Sequence, residues 1–427
     1  MSAPALSARA AALRILRAVL GKSQPLDEAL ADPEFDRLES RERAFARLLA
    51  ATVLRRLGQI DEAVNACLDR PLAGGARAIA PVLDLGAAQI LFLGTPPHAA
   101  VAATVELAGG RLAPWRGLAN AVLRRLTRDG AALLAAQDAA RLNTPDWLWR
   151  SWSGAYGEAT ARAIAEASCE EPPLDITVKD DAAGWAARLE ATVLPTGSLR
   201  RMPAAVAALP GFAEGAWWVQ DAAAAVPATL FGDVAGKHVV DLCAAPGGKT
   251  AQLAARGAHV TAVDRSAPRL DRLRENLARL GLAAECVVGD AANWRPPAPV
   301  DAVLLDAPCT ATGTLRRHPD VARLKRPDDV ARLAATQDRL LAAASAMLRP
   351  GGTLVFCTCS LQPEEGPQRV AALLAGGAPL DLVPVAPAEV GGLAEIVAAD
   401  GTIRTLPCHL AGQGGLDGFF VARLRRR

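Results

Sequence analysis

Aromatic side chains are scarce in this 427-residue chain: they make up 4% of residues, with a single tyrosine. A ring-lined platform on which successive bases stack is therefore not expected. Lysine is nearly absent, with five among the 47 basic residues, and the formal net charge is only +2. Overall charge thus announces no polyanionic partner. The eight cysteines, at 67, 169, 243, 286, 309, 357, 359 and 408, include no Cys-x-x-Cys pair and have no histidine at zinc spacing. Structural zinc is disfavoured, and no metal is expected. Long uncharged runs are missing too. The longest, Leu85 to Val105, contains Gly94, Pro96, Pro97 and His98, so it reads as two helices with a break, not a membrane span.

What remains is a soluble globular composition, 51% hydrophobic and 22% charged, long enough for two or three domains. With no secretory leader, the cysteines read as reduced thiols in a cytoplasmic protein. The basic, amphipathic start is free of acids until Asp27 and has some likeness to an organellar transit peptide. Leu13, Leu16 and Leu20 on one face favour an ordinary first helix.

Up to about residue 150 the apolar residues keep helical spacing, as in Phe45, Leu48, Leu49, Val53 and Leu57 after the candidate cap Ser40. This predicts an all-α domain over 1–150, punctuated at Gly58, at Pro71 to Gly75 and at Gly94 to Pro97, with a late helix over Trp115 to Leu126. Short β-like pieces, Leu174 to Val178 and Thr192 to Leu194, suggest a small α/β module over 151–215. From 216 to 427, apolar runs alternate with helical ones: 238–243, 259–264, 285–290, 301–308 and 353–360. Buried parallel strands leave such runs, so the third domain is expected to be a doubly wound, Rossmann-like α/β sheet. The terminal run Arg423 to Arg427 reads as a solvated tail.

Ligands of such sheets sit beyond the carboxyl ends of the strands. The five runs finish there in Cys243, Asp264, Asp290, Asp306 and Cys359. Cys243, Ala244, Ala245, Pro246, Gly247, Gly248 and Lys249 form a tight turn opening a helix, with neither dinucleotide nor phosphate-loop spacing. Asp264 follows where an acid accepts ribose hydroxyls, and Asp290 where an adenine would lie. An adenosine-bearing cofactor without a pyrophosphate fits, and S-adenosylmethionine is the obvious one.

Two further strand ends bring thiols, Cys309 and Cys359, to the same edge beside Asp306. Carbon 5 of cytosine accepts a methyl group from a sulfonium only after a thiolate has added to carbon 6, which supplies a use for them. An acid at nitrogen 3 assists that addition, and Asp306 is placed for it. A free thiol is mostly protonated at neutral pH, with a pKa near ~8.5, so the site must help. The basic run Arg316, Arg317, Arg323, Lys325 and Arg326 follows Cys309 and is a candidate for phosphate contact. His318 lies within it but carries no assigned role.

The motifs DLCAAPGGKT, DAPCTATG, CTCS and GLDGFFVARL together resemble the RNA (cytosine-carbon-5) methyltransferases of the Sun/NOL1/NOP2 type. The resemblance implies Cys359 as nucleophile, Cys309 as the thiol that assists product release, and Asp306 at the target base. It places cofactor contacts on Cys243 to Lys249, Asp264, Asp290 and Asp306, and leaves Cys357 to packing. GLANAVLRR at 117–125 resembles the NusB-like RNA-binding domain of the RsmB-type members, whose target is 16S ribosomal RNA. That implies a monomer acting on small-subunit ribosomal RNA, without DNA or membrane partners. Two alternatives stand beside it: the same chemistry on tRNA, and a catalytically inert RNA-binding assembly factor.

Overall fold

The computed structural model describes residues 7–427, and the chain divides into two compact units. One comprises the residues up to Glu170 together with Leu315–Lys325; the other comprises Glu171–Thr314 and Arg326–Arg427.

The first unit is helical: α1 (Ala8–Lys22), α2 (Leu26–Leu30), α3 (Ser40–Ala66), α4 (Ala80–Leu91), α5 (Pro97–Glu106), α6 (Arg116–Ala135), α7 (Ala139–Asn143), α8 (Asp146–Tyr156) and α9 (Glu158–Ser168). Its core is built where the periodicity puts it, from Leu13, Leu16, Leu49, Val53, Leu83, Val122 and Leu126. The uncharged run breaks into α4 and α5 as expected. Ser7, not Ser40, caps a helix with its side chain: its hydroxyl accepts from the Ala10 amide, while Ser40 is already helical.

Three expectations need correction. The boundary at 150 falls inside α8, and the helical unit runs on to Glu170 because α8 and α9 bury Leu148, Trp152, Ala161 and Ile164. Gly58 does not punctuate the chain, since α3 passes straight through it. A Cβ there would stand 1.8 Å from the Leu142 carbonyl oxygen, so this glycine permits a close crossing with α7. The segment after the Cys309 loop, containing α14 (Val321–Leu324), belongs with the helical unit. The Leu26 amide donates to Asp320 Oδ2 at 2.9 Å, and Leu324 packs against the helical core.

The second unit holds two sheets. The smaller, in the order β2-β3-β1-β4, comprises β1 (Leu174–Val178), β2 (Thr192–Val193), β3 (Leu199–Arg201) and β4 (Trp217–Val219), with α10 (Ala182–Arg188) between β1 and β2. A boundary at 216 would detach β4, which pairs with β1. A buried ion pair, Arg200 to Asp175 at 2.7 Å, lies across β3 and β1.

The larger sheet is the doubly wound one. It contains β5 (His238–Leu242), β6 (His259–Asp264), β7 (Glu285–Val288), β8 (Val300–Asp306), β9 (Leu348–Thr358), β10 (Leu380–Leu382), β11 (Ile403–Thr405) and β12 (Phe419–Arg426). The order is β10-β12-β9-β8-β5-β6-β7, with β11 paired to β12. The strands β5 to β9 pair in parallel, and β12 is antiparallel to β9. Helices α11 (Ala222–Thr229), α12 (Gly248–Ala255), α13 (Ala267–Leu280), α15 (Pro327–Met347) and α16 (Pro367–Ala375) complete the unit. Alternate strand residues face two cores: Val239, Leu304 and Val355 with Val226 and Leu253, and Val303, Leu305 and Phe356 with Leu340 and Met347. The terminal arginines are not a tail. Arg423 and Arg426 lie on β12, Arg423 paired to Glu389 at 2.8 Å, while Ala422 and Leu424 are buried.

Glycine positions test these crossings. Gly58→Ala is expected to destabilise the protein by about 1–3 kcal/mol, because backbone must move to admit the methyl group. Gly154→Ala in α8, where the added carbon meets nothing within 4 Å, should be neutral or stabilising by up to about 1 kcal/mol. Urea unfolding of the two variants measures the difference in sign.

Candidate active site

The sheet reverses its winding between β5 and β8, and the strand ends there converge. The chain leaves β5 through Cys243 with φ +61°, passes a cis Ala245–Pro246 bond, and enters α12 through Gly247 with φ +103°. Gly247 is required twice over: its φ is left-handed, and a Cβ would lie 2.7 Å from Leu273 Cγ. No side chain caps α12, so its first amides remain available to a carboxylate.

Asp264, 3% exposed, braces this turn. Its carboxylate accepts from the Ala245 amide at 3.2 Å and the Ser266 amide at 2.9 Å. The Gly289 amide donates to the Asp264 carbonyl at 3.0 Å, aligning the next strand end. Asp290 lies two residues past β7 and is exposed, accepting from the Ala292 amide at 3.0 Å and Asn293 Nδ2 at 2.7 Å. Val288 beside it is 53% exposed, an uncovered apolar side chain that the run 285–290 did not single out.

Asp241 was also missed. It is buried on β5, with Oδ2 accepting from Thr250 Oγ1 at 2.5 Å and Oδ1 buried without a partner. Burial pushes its pKa up to about 7. Burial, with the charges of Asp306, Asp264 and Asp241, likewise pushes the Cys243 thiol up to about 12 and favours its protonated form.

The other half of the site lies on β8 and β9, paired in a register that sets Asp306 opposite Cys357. The Ala307 amide donates to the Cys357 carbonyl at 3.0 Å, and the Gly313 amide to the Cys359 carbonyl at 2.9 Å. These bonds draw the Cys309 loop over the end of β9 and set Cys309 Sγ 3.5 Å from Cys359 Sγ. The hydrogen bond to Cys359 is the largest influence raising the Cys309 pKa well above the usual thiol range, followed by burial and the nearby charges of Cys359 and Glu365. Either sulfur can donate in this contact, and the raised pKa of Cys309 favours its protonated form.

Lys249 Nζ donates to Asp306 Oδ2 at 2.7 Å and stands over the Phe419 ring at 5.2 Å. Burial is the largest influence and opposes its charge, but the charge and hydrogen bond of Asp306 together with the charges of Cys357 and Asp241 outweigh it, and its pKa is raised. Cys357 does more than pack: buried at the end of β9, its thiol lies 3.6 Å from Asp306 Oδ1. Burial pushes that thiol well up.

The basic run behaves differently from expectation. Arg316 is 2% exposed, and its carbonyl accepts from Arg55 Nη2 at 2.9 Å. Arg323 Nη2 donates to the Asn143 carbonyl at 3.2 Å, and burial lowers its pKa. Both arginines make structural contacts within the helical unit where the sequence suggested exposure to phosphate. Arg317 and Lys325 are half-buried, and Arg326 is exposed.

A donor set of this kind fits an adenosyl sulfonium with an amino-acid tail. Carboxylates at Asp264 and Asp290 suit hydroxyls and an amine, helix amides suit a carboxylate, and Val288 offers apolar cover. The fold and site define a methyltransferase, and S-adenosylmethionine is its cofactor.

Comparison with known proteins is specific. Residues 228–425 match the family model 16S rRNA methyltransferase RsmB/F, and residues 6–128 match the NusB family. The chain is 36% identical over 438 aligned residues to ribosomal RNA small subunit methyltransferase B of Escherichia coli O1:K1, covering 98% of both chains. It is 38% identical over 385 residues to the Salmonella typhi protein of that name, covering 86% of this chain and 89% of the relative. The solved structure of PH0851 superposes with a TM-score of 0.76 at 23% identity over the whole of both chains, a likeness of fold. A methyltransferase homolog from Pyrococcus horikoshii superposes with a TM-score of 0.54 at 27% identity, covering 71% of this chain and 98% of that one. The chain belongs to the RsmB/F family of 16S rRNA methyltransferases.

Two measurements probe this site. Asp264→Ala frees the Ala245 and Ser266 amides and should weaken S-adenosylmethionine binding about ten-fold or more by calorimetry. Asp241 holds a proton in the folded state that the unfolded chain releases, so its contribution to stability falls as pH rises from 3.8 to about 7. Asp241→Asn should flatten that slope in urea unfolding at a series of pH values.

Proposed function

We propose that this protein transfers a methyl group from S-adenosylmethionine to carbon 5 of a cytosine in 16S ribosomal RNA, through a transient bond between Cys359 and the base. The observation that carries the proposal is the pair of thiols, 3.5 Å apart on adjoining strand ends, beside Asp306. A single core cysteine needs no such partner.

Cys359 Sγ adds to carbon 6 of the ring and gives carbon 5 enamine character. Bound S-adenosylmethionine supplies an electrophilic methyl group. Loss of the carbon 5 proton then restores the double bond and expels the Cys359 thiolate. As Cys359 attacks, negative charge builds on the base near nitrogen 3. Asp306 is read at that edge, where its carboxyl has to be protonated, or become so, to donate to nitrogen 3 as Cys359 adds and to take the proton back as the adduct breaks down; Lys249 Nζ lies 2.7 Å from it. Cys309, the proton-holding neighbour of Cys359, hydrogen-bonds the attacking sulfur and assists breakdown of the adduct. The cofactor is read onto the turn from Cys243 to Lys249 with Asp264, Asp290 and Asp306. RNA contact is assigned to Arg317, Lys325 and Arg326 and to the NusB-type unit. The target base must leave its stack to reach Cys359. Among the described residues no helix is long and apolar enough to cross a membrane.

Cys359→Ala is expected to abolish methyl transfer while leaving S-adenosylmethionine affinity within about three-fold. Cys309→Ala should permit attack and accumulate a protein–RNA adduct that survives denaturing gels. Assays on 16S ribosomal RNA, tRNA and DNA side by side establish the substrate. Unaltered turnover in both variants would refute the two-thiol mechanism, and cofactor binding without transfer to any RNA would point to an assembly factor.

A further inference from the structure

One fully buried carboxylate near the thiols has no part in the steps above. Glu365 closes a short 3-10 turn, Pro363–Glu365, and is 0% exposed. Its Oε1 accepts from the Thr310 amide at 2.9 Å, and its Oε2 accepts from Ser360 Oγ at 2.6 Å and from Thr310 Oγ1. Thr310 is the residue after Cys309, and Ser360 the residue after Cys359. Their hydroxyls lie 3.2 Å apart. Thr312 Oγ1 extends the cluster, 3.4 Å from Ser360 Oγ and accepting from the Leu361 amide at 3.0 Å. Thr358 Oγ1 donates to the Glu365 carbonyl at 2.9 Å, tying the turn to the end of β9.

We propose that Glu365 is a positioning residue: its carboxylate fastens the two thiol-bearing loops together, one residue past each sulfur, and so sets which sulfur attacks and which donates. The inference rests on the two-thiol reading of the site. Hydrogen bonds to an ionised acceptor are the strong ones, and a fully satisfied buried cluster holds a single geometry. The Glu365 charge is also among the influences that raise the Cys309 pKa, after the hydrogen bond to Cys359, burial and the Cys359 charge. One group therefore acts on both the spacing of the thiols and their division of labour.

The test uses the full chain with S-adenosylmethionine bound. Limiting iodoacetamide at about pH 8, where thiolates begin to form, followed by mass spectrometry, gives the ratio of labelling at Cys359 to that at Cys309. Glu365→Gln keeps the shape and an acceptor for the Thr310 amide but removes the charge. The labelling ratio is expected to fall about ten-fold, the effect of one pKa unit. Methyl transfer to 16S ribosomal RNA should fall about a hundred-fold through misplacement of the sulfurs, with cofactor affinity within about three-fold. Glu365→Asp keeps the charge but shortens the reach, so it should retain the labelling ratio and lose rate. Wild-type ratio and rate in Glu365→Gln, or wild-type rate in Glu365→Asp, overturns the proposal. Loss of cofactor binding in both variants also overturns it, since that is the mark of a residue needed by the fold at large. If the labelling ratio falls as expected but the Cys309→Ala variant forms no adduct with RNA, the clamp stands and the cytosine mechanism fails.

Discussion

The parallel pairing of β8 with β9 is the constraint on which the rest depends. Because Asp306 lies opposite Cys357, the residues just beyond each strand emerge side by side, and hydrogen bonds from the Ala307 and Gly313 amides seat the Cys309 loop on the Cys357 and Cys359 carbonyls. A shift of one residue would turn every side chain of β9 to the other face. It would carry Cys357 away from Asp306 and bury Phe356 and Val355 in the wrong layers. Register thus fixes the chemistry as firmly as the side chains do.

Around that edge, charge is arranged in neighbouring compartments. Lys249 at the start of α12 and Asp306 at the end of β8 form an ion pair, while Glu365 with Thr310, Thr312 and Ser360 forms a hydroxyl-rich cluster beside the sulfurs. Asp241 lies deeper still, where burial favours its protonated form. The low dielectric that makes an unpaired group costly also makes each completed bond directional and strong. Such a setting suits the proposed reaction, in which a bond to sulfur must form and then break.

Much of the catalytic unit was legible from local signals. Continuous apolar runs marked β5, β6, β8 and β9, and polar residues at their ends marked the edge, because a parallel sheet buries both faces and leaves only its strand ends to solvent. Local signals failed where long-range packing decided the outcome. Arg316 and Arg323 look like surface cations in a linear reading, yet their loop docks Leu315 and Leu324 among helices far away in sequence. β12 was hidden because arginines occupy its less buried face at 423 and 425 while Ala422 and Leu424 alternate inward. Glu365 gave no signal, since an acid in a Pro-Glu-Glu turn resembles any solvated loop. Gly58 reads locally as a helix breaker because its purpose, a close crossing with α7, exists only in three dimensions.

The excursion of Leu315–Lys325 into the helical unit bears on how this protein can be divided. A strip of sequence from the second half of the chain completes the helical unit. A fragment cut after Glu170 would lack the side chain that receives the Leu26 amide. The complementary fragment would present Leu315 and Arg316 to water. Producing the helical unit by itself would therefore mean supplying Leu315–Lys325 along with it.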